Sequence, residues 1–568
     1  MFPPTQKHER SEYEEYTCHY CYFGIHCRPR DEQSSSPASS LVTDESNEIP
    51  TRVLFTSTKS SKSTGSKTPK ATGAKSTKAY NADAKAEKIS PANTTSTTGS
   101  FIWFTDVHYD QYYGTSQAAF RGGSYPSCPG YEENHCNNTN SPKYSIYGCG
   151  ASSDLVESFL SEAARATNGK PDFVLFTGDA TRHFADGLKE GTVHNAVTYL
   201  HNTTKAHFPD TPVLQLPTIV LGNNDWYPHD TVNITSYEAC VEGTNGEPPV
   251  ATNEHLQNAA KDNEEIFADK MEEAIFACGG YTRREVVKDL VVLSLNTMIW
   301  GTKLNTKYNK MNPNNKLHVP DHYTEDPFGQ LEWLKQELLQ ARVTGKKAYV
   351  IGHHPPADQS IIVDTGNNLW SQGYQLRYEN IVSEFSDVVA GQMFGHVHTN
   401  ELRRTPYMPK GVAPLLLQGA VAPGNCMDPN FSIVEYDDKT KAIVDMSKYF
   451  ADLKKAFETK STELVWNDAV KSVVDLIGMN SFTNEEVLKF AKRALDDKDL
   501  WNKYWNEFTK GRPQETDCTG DCIHQELCVI ACGTRREIWY SCVIGYGDCT
   551  VGDESDLSSL TNLGEINE

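Results

Sequence analysis

Five short apolar runs between Phe101 and Phe394 each end in a small cluster of acid, amide or imidazole side chains. Phe101-Ile-Trp-Phe leads into Thr-Asp106-Val-His108, and Phe173-Val-Leu-Phe into Thr-Gly178-Asp179. Thr218-Ile-Val-Leu leads into Gly222-Asn223-Asn224-Asp225. Ala348 to Ile351 precedes Gly352-His353-His354-Pro355-Pro356, and Val388 to Phe394 precedes Gly395-His396-Val397-His398. Short continuous runs of β-branched and aromatic residues are expected to be strands covered on both faces, as in α/β sheets. Such sheets place their sites beyond the C-terminal strand ends, and glycine at 352 and 395 lets the chain turn there without a Cβ clash. Between the runs, Leu155–Ala166, Val193–Phe208, Glu264–Ala277 and Phe328–Ala341 carry helical apolar spacing. Val286–Leu295 reads as antiparallel β, and alternating segments from Leu402 to Tyr449 read as a second sheet. The expected fold is α/β: a two-sheet β-sandwich flanked by helices, with every cluster on one rim.

Read together, the strand ends offer Asp106, His108, Asp179, Asn223, His353, His396 and His398. That is too many ligands for one tetrahedral ion and suits two ions sharing a bridging carboxylate. Neutral imidazole is the commonest metal ligand, and a histidine-heavy shell favours Zn2+ over Mg2+, with Fe or Mn second.

The order Asp-x-His, Gly-Asp, Gly-Asn-x-Asp, Gly-His-x-Pro-Pro, Gly-His-x-His resembles the calcineurin-like metallophosphoesterase superfamily. Within it the chain resembles the acid sphingomyelinase-like phosphodiesterases from about Phe101 to Cys542, including Ser294-Leu-Asn-Thr297 and Gly391-Gln-Met-Phe-Gly-His396. The resemblance implies that Asp106, His108, Asp179 and His398 hold one ion, and Asp179, Asn223, His353 and His396 the other. It implies hydrolysis of a phosphodiester or phosphoanhydride by in-line attack of a metal-bridging hydroxide. It also suggests a helical, disulfide-stapled C-terminal subdomain with pairs Cys518–Cys522 and Cys528–Cys542.

One position departs from the pattern. Where the superfamily carries a histidine near the leaving group, this chain has Asn224, which donates a hydrogen bond but delivers no proton. Gly-Asn-Asn-Asp with Pro228-His229, together with Arg182-His183, resembles the vacuolar endopolyphosphatases. His183 matches the second leaving-group histidine of the sphingomyelinase branch and is expected to be the surviving acid. The catalytic candidates are therefore His183 and Asn224. The substrate is expected to be a phosphodiester, nucleotide, polyphosphate or phospholipid. The alternatives are an endopolyphosphatase and a secreted binding glycoprotein that has lost turnover.

A net charge of -22 argues against a nucleic-acid groove, and no apolar run is long enough to cross a membrane. Fifteen cysteines suggest disulfides and an oxidising compartment, secreted or lysosomal/vacuolar. Sequons at Asn93, Asn137, Asn202, Asn233 and Asn430 are glycosylation candidates on such a route. The start of the chain lacks the apolar core of a signal peptide, which we read as an incomplete N-terminus. Residues 1–98 are expected to be a disordered Ser/Thr/Lys-rich region whose lysines could touch a membrane surface; Cys18, Cys21 and Cys27 form a disulfide knot in preference to half a zinc site. Residues 99–450 form the phosphoesterase domain, and 451–552 the helical Cys-rich subdomain with a helix expected over Thr462–Ile477. Residues 553–568 form an acidic tail, and the protein is expected to be a monomer.

Overall fold

The computed structural model describes residues 97–120, 128, 131, 133–185, 188–232, 240–241, 250–251, 253–302, 309–310, 312–314, 316–356, 369–405, 411–508, 518–533 and 542. The N-terminal cysteines, the sequons at Asn93 and Asn233 and the acidic tail lie outside the described residues.

The strands are β1 (Thr98–Phe104), β2 (Phe173–Phe176), β3 (Thr282–Val287), β4 (Leu290–Ser294), β5 (Lys347–Ile351) and β6 (Val389–Phe394). They continue with β7 (Glu401–Arg403), β8 (Leu415–Leu417), β9 (Asn430–Asp437), β10 (Ile443–Ala451) and β11 (Trp466–Val470). One large sheet has the order β11-β10-β9-β1-β2 and a second β3-β4-β5-β6-β8-β7, and Cys240–Val241 pairs with Val250–Ala251 in a small two-stranded ladder. The pairs β1–β2, β4–β5, β5–β6 and β6–β8 are parallel.

The side-chain period of two explains the layers. Phe101, Trp103, Phe173 and Leu175 share one buried cluster with Tyr349, Ile351, Met393 and Leu416 of the opposite sheet. Phe101 stacks on Phe173 with ring centres 4.4 Å apart and tilts against Tyr349 at 5.7 Å. The alternate residues Ile102, Phe104, Val174 and Phe176 lie with Leu155, Val156, Phe159 and Leu160 of α1 (Ser153–Ala166). That helix starts where Ser152 Oγ accepts from Leu155 N–H, and its apolar residues fall at helical spacing on the covered face.

Helices α2 (Glu190–His207), α3 (Glu254–Asp262), α4 (Lys270–Gly279), α5 (Gln330–Val343) and α6 (Gln372–Glu384) follow in chain order. The helix expected over Glu264–Ala277 is divided: Asp269 takes the amides of Met271 and Glu272 and so caps α4.

Two expected elements differ. Thr218–Leu221 is buried, yet it joins no ladder among the described residues and leads into a 3-10 turn over Asn223–Asp225. The expected helix over Thr462–Ile477 is edge strand β11 followed by a short helix, α8 (Val473–Ile477), after α7 (Leu453–Thr459). Trp466 packs on Phe431, and Ser472 caps α8 by accepting from Asp475 N–H.

Beyond it, α9 (Asn484–Asp496), α10 (Lys498–Phe508) and α11 (Asp521–Cys532) bring Val487, Phe490, Trp501, Tyr504 and Trp505 into the cluster that holds Phe101. The disulfides Cys518–Cys522 and Cys528–Cys542 are formed. The loop over Asp110–Asp154 has a small core of its own: Tyr144, Ile146 and Tyr147 pack with Cys136–Cys149 and Cys128–Cys426. No helix of the described residues is long and apolar enough to span a membrane.

Candidate metal centre

Each strand-end loop is held by backbone hydrogen bonds that extend past the sheets. Asp106 N–H donates to Gly178 O, His108 N–H to Asp179 O, Gly395 N–H to His353 O and Ala422 N–H to Asp106 O. These bonds hold Asp106, His108, Asp179, His396 and His398 at φ between 43° and 74°, a region that non-glycine residues rarely occupy and that commonly marks functional sites.

Asp106 and Asp179 lie at the centre. His108 and His353 each donate Nδ1–H at 2.9 Å to a backbone carbonyl, Thr181 O and Thr177 O respectively. A carbonyl only accepts, so Nδ1–H is engaged there and Nε2 is the nitrogen left facing the cluster, as in histidines that ligate metals. His108 Nε2 is 3.5 Å from Asp179 Oδ2, 3.7 Å from Asp106 Oδ1 and 3.1 Å from His398 Nε2. His398 Nε2 is 3.3 Å from Asp106 Oδ1. His353 Nε2 is 3.3 Å from Asp179 Oδ2 and 3.2 Å from Asn223 Oδ1, and His396 Nδ1 is 3.1 Å from the same amide oxygen. All seven residues expected as ligands converge, in two groups that share the central carboxylates.

The donor set fits cations. Asp106 Oδ2 is occupied by Thr105 Oγ1–H and His396 N–H, whereas Oδ1 is buried with no hydrogen-bond partner among the described residues. Lone pairs of imidazole and carboxylate oxygens aimed at one another at these distances need a positive charge between them.

Electrostatics agree. Burial pushes the Asp106 carboxyl up, but His398 and His353 outweigh it and hold it well below the carboxylate range. Asp179 behaves alike: burial raises it, and His353 and His108 drive it below its ordinary value. Burial lowers His353, yet Asp179 and Asp106 bring it to about 9. His396 is pushed well below the usual value, first by burial and then by His354 and His353.

The proposed catalytic residues lie at the rim of this cluster. The His183 ring stacks on His108 at 3.7 Å and is 5.6 Å from His398. Asn224 donates its backbone N–H to Asp179 Oδ1 at 2.9 Å and its amide N–H to Oδ2 at 2.7 Å. The amide thus steadies the central carboxylate.

Three residues were missed by the sequence reading as site residues. Asp225 accepts the amides of Asp179 (2.8 Å), Thr181 (2.9 Å) and Gly222 (3.0 Å), fixing the turn that presents Asp179. His229 Nε2 accepts from Asn223 Nδ2 at 2.9 Å, which turns Asn223 Oδ1 toward His353 and His396. His354 lies with ring centre 3.9 Å from that of His396 and groups with His353 and His396. Asp225 and His354 stand inside the strand-end motifs and His229 just beyond one, but residue type alone does not separate ligand from support.

Asn430, an expected glycosylation site, is buried: its amide accepts from Gln418 Nε2 at 2.7 Å and donates to Ala420 O. A glycan there would require the strand to open. Asn202 is exposed and Asn137 half-buried.

The family model for calcineurin-like phosphoesterases matches residues 99–400. Among curated proteins, sphingomyelinase phosphodiesterase D of Dictyostelium discoideum is 25% identical over 371 residues, covering 64% of this chain and 74% of its own length. Human acid sphingomyelinase-like phosphodiesterase 3b is 27% identical, covering 63% and 72%. Human cyclic GMP-AMP phosphodiesterase SMPDL3A is 25% identical, covering 78% and 90%.

Proposed function

We propose that this chain, which belongs to the calcineurin-like phosphoesterase family, hydrolyses phosphodiester or phosphoanhydride bonds with two divalent ions, Zn2+ foremost. The observation that carries the proposal is the approach of three imidazole nitrogens, from His108, His353 and His398, to within 3.9 Å of Asp106 Oδ1. Asp106, His108, Asp179 and His398 would hold one ion, and Asp179, Asn223, His353 and His396 the other. Bound there, the ions supply the Lewis acidity that activates water and neutralises phosphoryl charge.

The chain's own groups do the rest. Thr105 and His396 N–H orient Asp106, and Asn224 and Asp225 hold Asp179, so little reorganisation is needed when charge develops. His183, against the first ligand group, gives a proton to the departing oxygen. Asn224 gives none, so only one acid serves the leaving group. Such a group contributes about 10²–10⁴-fold, so leaving groups already stable as anions are favoured: nucleotide or polyphosphate anhydrides and aryl phosphodiesters over the alkoxide of sphingomyelin.

The test is a rate panel on purified, metal-assayed protein with an aryl phosphodiester, a nucleoside triphosphate, polyphosphate, cyclic GMP-AMP and sphingomyelin. Faster cleavage of sphingomyelin than of polyphosphate or the triphosphate defeats the leaving-group argument. Equal rates for Asp179→Asn and the parent would leave the binding-glycoprotein reading. Asn224 also favours the endopolyphosphatase alternative, which internal cutting of long polyphosphate chains would establish. The disulfides and the accessible Asn202 support an oxidising compartment, secreted or lysosomal/vacuolar.

A further inference from the structure

Helices α2 and α3 face each other with matched side chains. Glu190 and His194 are four residues apart on α2, and His255 and Asp262 seven apart on α3, so each pair lies on one helical stripe. Each histidine reaches a carboxylate of the other helix. His194 Nδ1 is 2.7 Å from Asp262 Oδ2, and His255 Nδ1 is 2.9 Å from Glu190 Oε1.

Both imidazoles are more than nine-tenths buried, His194 2% and His255 7% exposed. The Nε2 atom of each has no hydrogen-bond partner among the described residues. One nitrogen from each ring and one Glu190 oxygen lie within 4.8 Å of one another. The Trp226 ring covers His255, stacked at 4.7 Å.

Two buried ion pairs are the plain alternative. In that case both rings are cationic, and each buries an Nε2–H with nothing to receive it. If the rings are neutral, each buries an unused lone pair. Either state leaves a buried polar atom whose desolvation nothing offsets. An ion between the rings gives one nitrogen of each a partner, and Asp262 on His194 Nδ1 stands where a carboxylate orients a metal-binding histidine and makes it more basic.

We infer that Glu190, His194 and His255 form a binding site for one transition-metal ion of the Zn2+ class, separate from the centre at Asp106 and Asp179. Asp262 orients His194. The carboxylates of Glu190 and Asp262 are 32% and 45% exposed, which gives an ion a path from solvent. Two imidazoles with a carboxylate and room for water is a donor set that zinc accepts and Mg2+ does not favour. The ion would clasp α2 to α3 and, through Trp226, brace the turn that carries Asn223 and Asp225. This inference does not depend on the catalytic reading.

The experiment uses the full chain, stripped with chelator, reloaded with excess Zn2+, desalted and counted by plasma mass spectrometry. The parent should retain one ion per chain more than His194→Ala/His255→Ala. Crystals of the zinc-loaded parent, measured at the zinc absorption edge, should show an anomalous peak between the two rings whether or not the variant folds. Equal counts in parent and a folded double variant, or the absence of that peak, overturns the site.

Discussion

Asp225 offers the sharpest test of how the centre is built. It reads as part of a ligand motif, yet its carboxylate accepts the backbone amides of Asp179, Ala180, Thr181 and Gly222 at 2.8–3.3 Å. Asp225→Ala strips four buried N–H groups, those of Asp179, Ala180, Thr181 and Gly222, of their acceptor. At about 1–3 kcal/mol for each orphaned donor, the loss of unfolding free energy is roughly 4–12 kcal/mol, less whatever water fills the gap. Asp225→Asn keeps one acceptor oxygen but sets an NH2 against backbone donors, so it should fall between parent and alanine. The rate should fall as well as the stability, because Asp179 at φ 59° is held by this clamp. A shift of about 1 Å at a positioned group costs on the order of 10²-fold in rate. The assay is hydrolysis of bis(p-nitrophenyl) phosphate at saturating Zn2+, alongside urea unfolding of chelated protein. An alanine variant that loses under about 1 kcal/mol and keeps its rate within a few-fold would refute the clamp.

Three other perturbations probe separate links. A Cβ at Gly222 would lie 2.0 Å from Asp179 Oδ1 and 2.5 Å from Asp179 N. Gly222→Ala should therefore lower the rate at least about 10²-fold, whereas Gly191→Ala, with nothing within 4 Å, should not; equal rates in the two would exclude the close approach. His229→Phe removes the acceptor that orients Asn223, and chelator competition should show zinc affinity about 10–100-fold weaker; an unchanged affinity would remove His229 from the support of the site. Lys448 is buried with Nζ donating to Asn400 Oδ1 (2.8 Å) and Ser432 Oγ (3.1 Å); burial lowers it to about 7, against the opposing pull of Glu507. Its folded value is below the unfolded one, so above about pH 7 the unfolded chain binds the extra proton and stability rises with pH. The unfolding free energy of the parent should gain on that of Lys448→Met by up to about 1.4 kcal/mol per pH unit between about pH 7 and 9; parallel curves would show that the amine is not desolvated.

What the sequence carries about this protein is chemistry and burial, and it carries pairing less well. Asp106, His108, Asp179, Asn223, His353, His396 and His398 were legible because strand-end carboxylates, amides and imidazoles are poor core residues and good ligands. Thr218–Leu221 was misread as a strand because an apolar run specifies an extended, covered chain, not a neighbouring edge in register. Over Thr462–Ile477 the apolar residues fall at helical intervals, but Ser472 ahead of Asp475 was a cap signal that divides the segment. Asn430 carries a sequon because the tripeptide encodes the acceptor and says nothing of its place in β9. Cys128–Cys426 closes over 298 positions, beyond any local pattern.

The least legible property is the conformation of the ligand residues themselves. Asp106, His108, Asp179, His396 and His398 all take positive φ, each at a cost of about 1–3 kcal/mol that no residue type at those positions advertises. Nothing local can hold five such residues. The bonds that do so run between loops: Asp106 to Gly178 and Ala422, His108 to Asp179, His353 to Gly395, and Ala420 N–H to His398 O. Each strand end is thus fixed by a different strand's loop, and the cost at one ligand is offset by contacts made at another. It follows that the ligands can reach their positions only together, once both sheets have packed. The motifs name the ligands, and the rim as a whole sets their geometry.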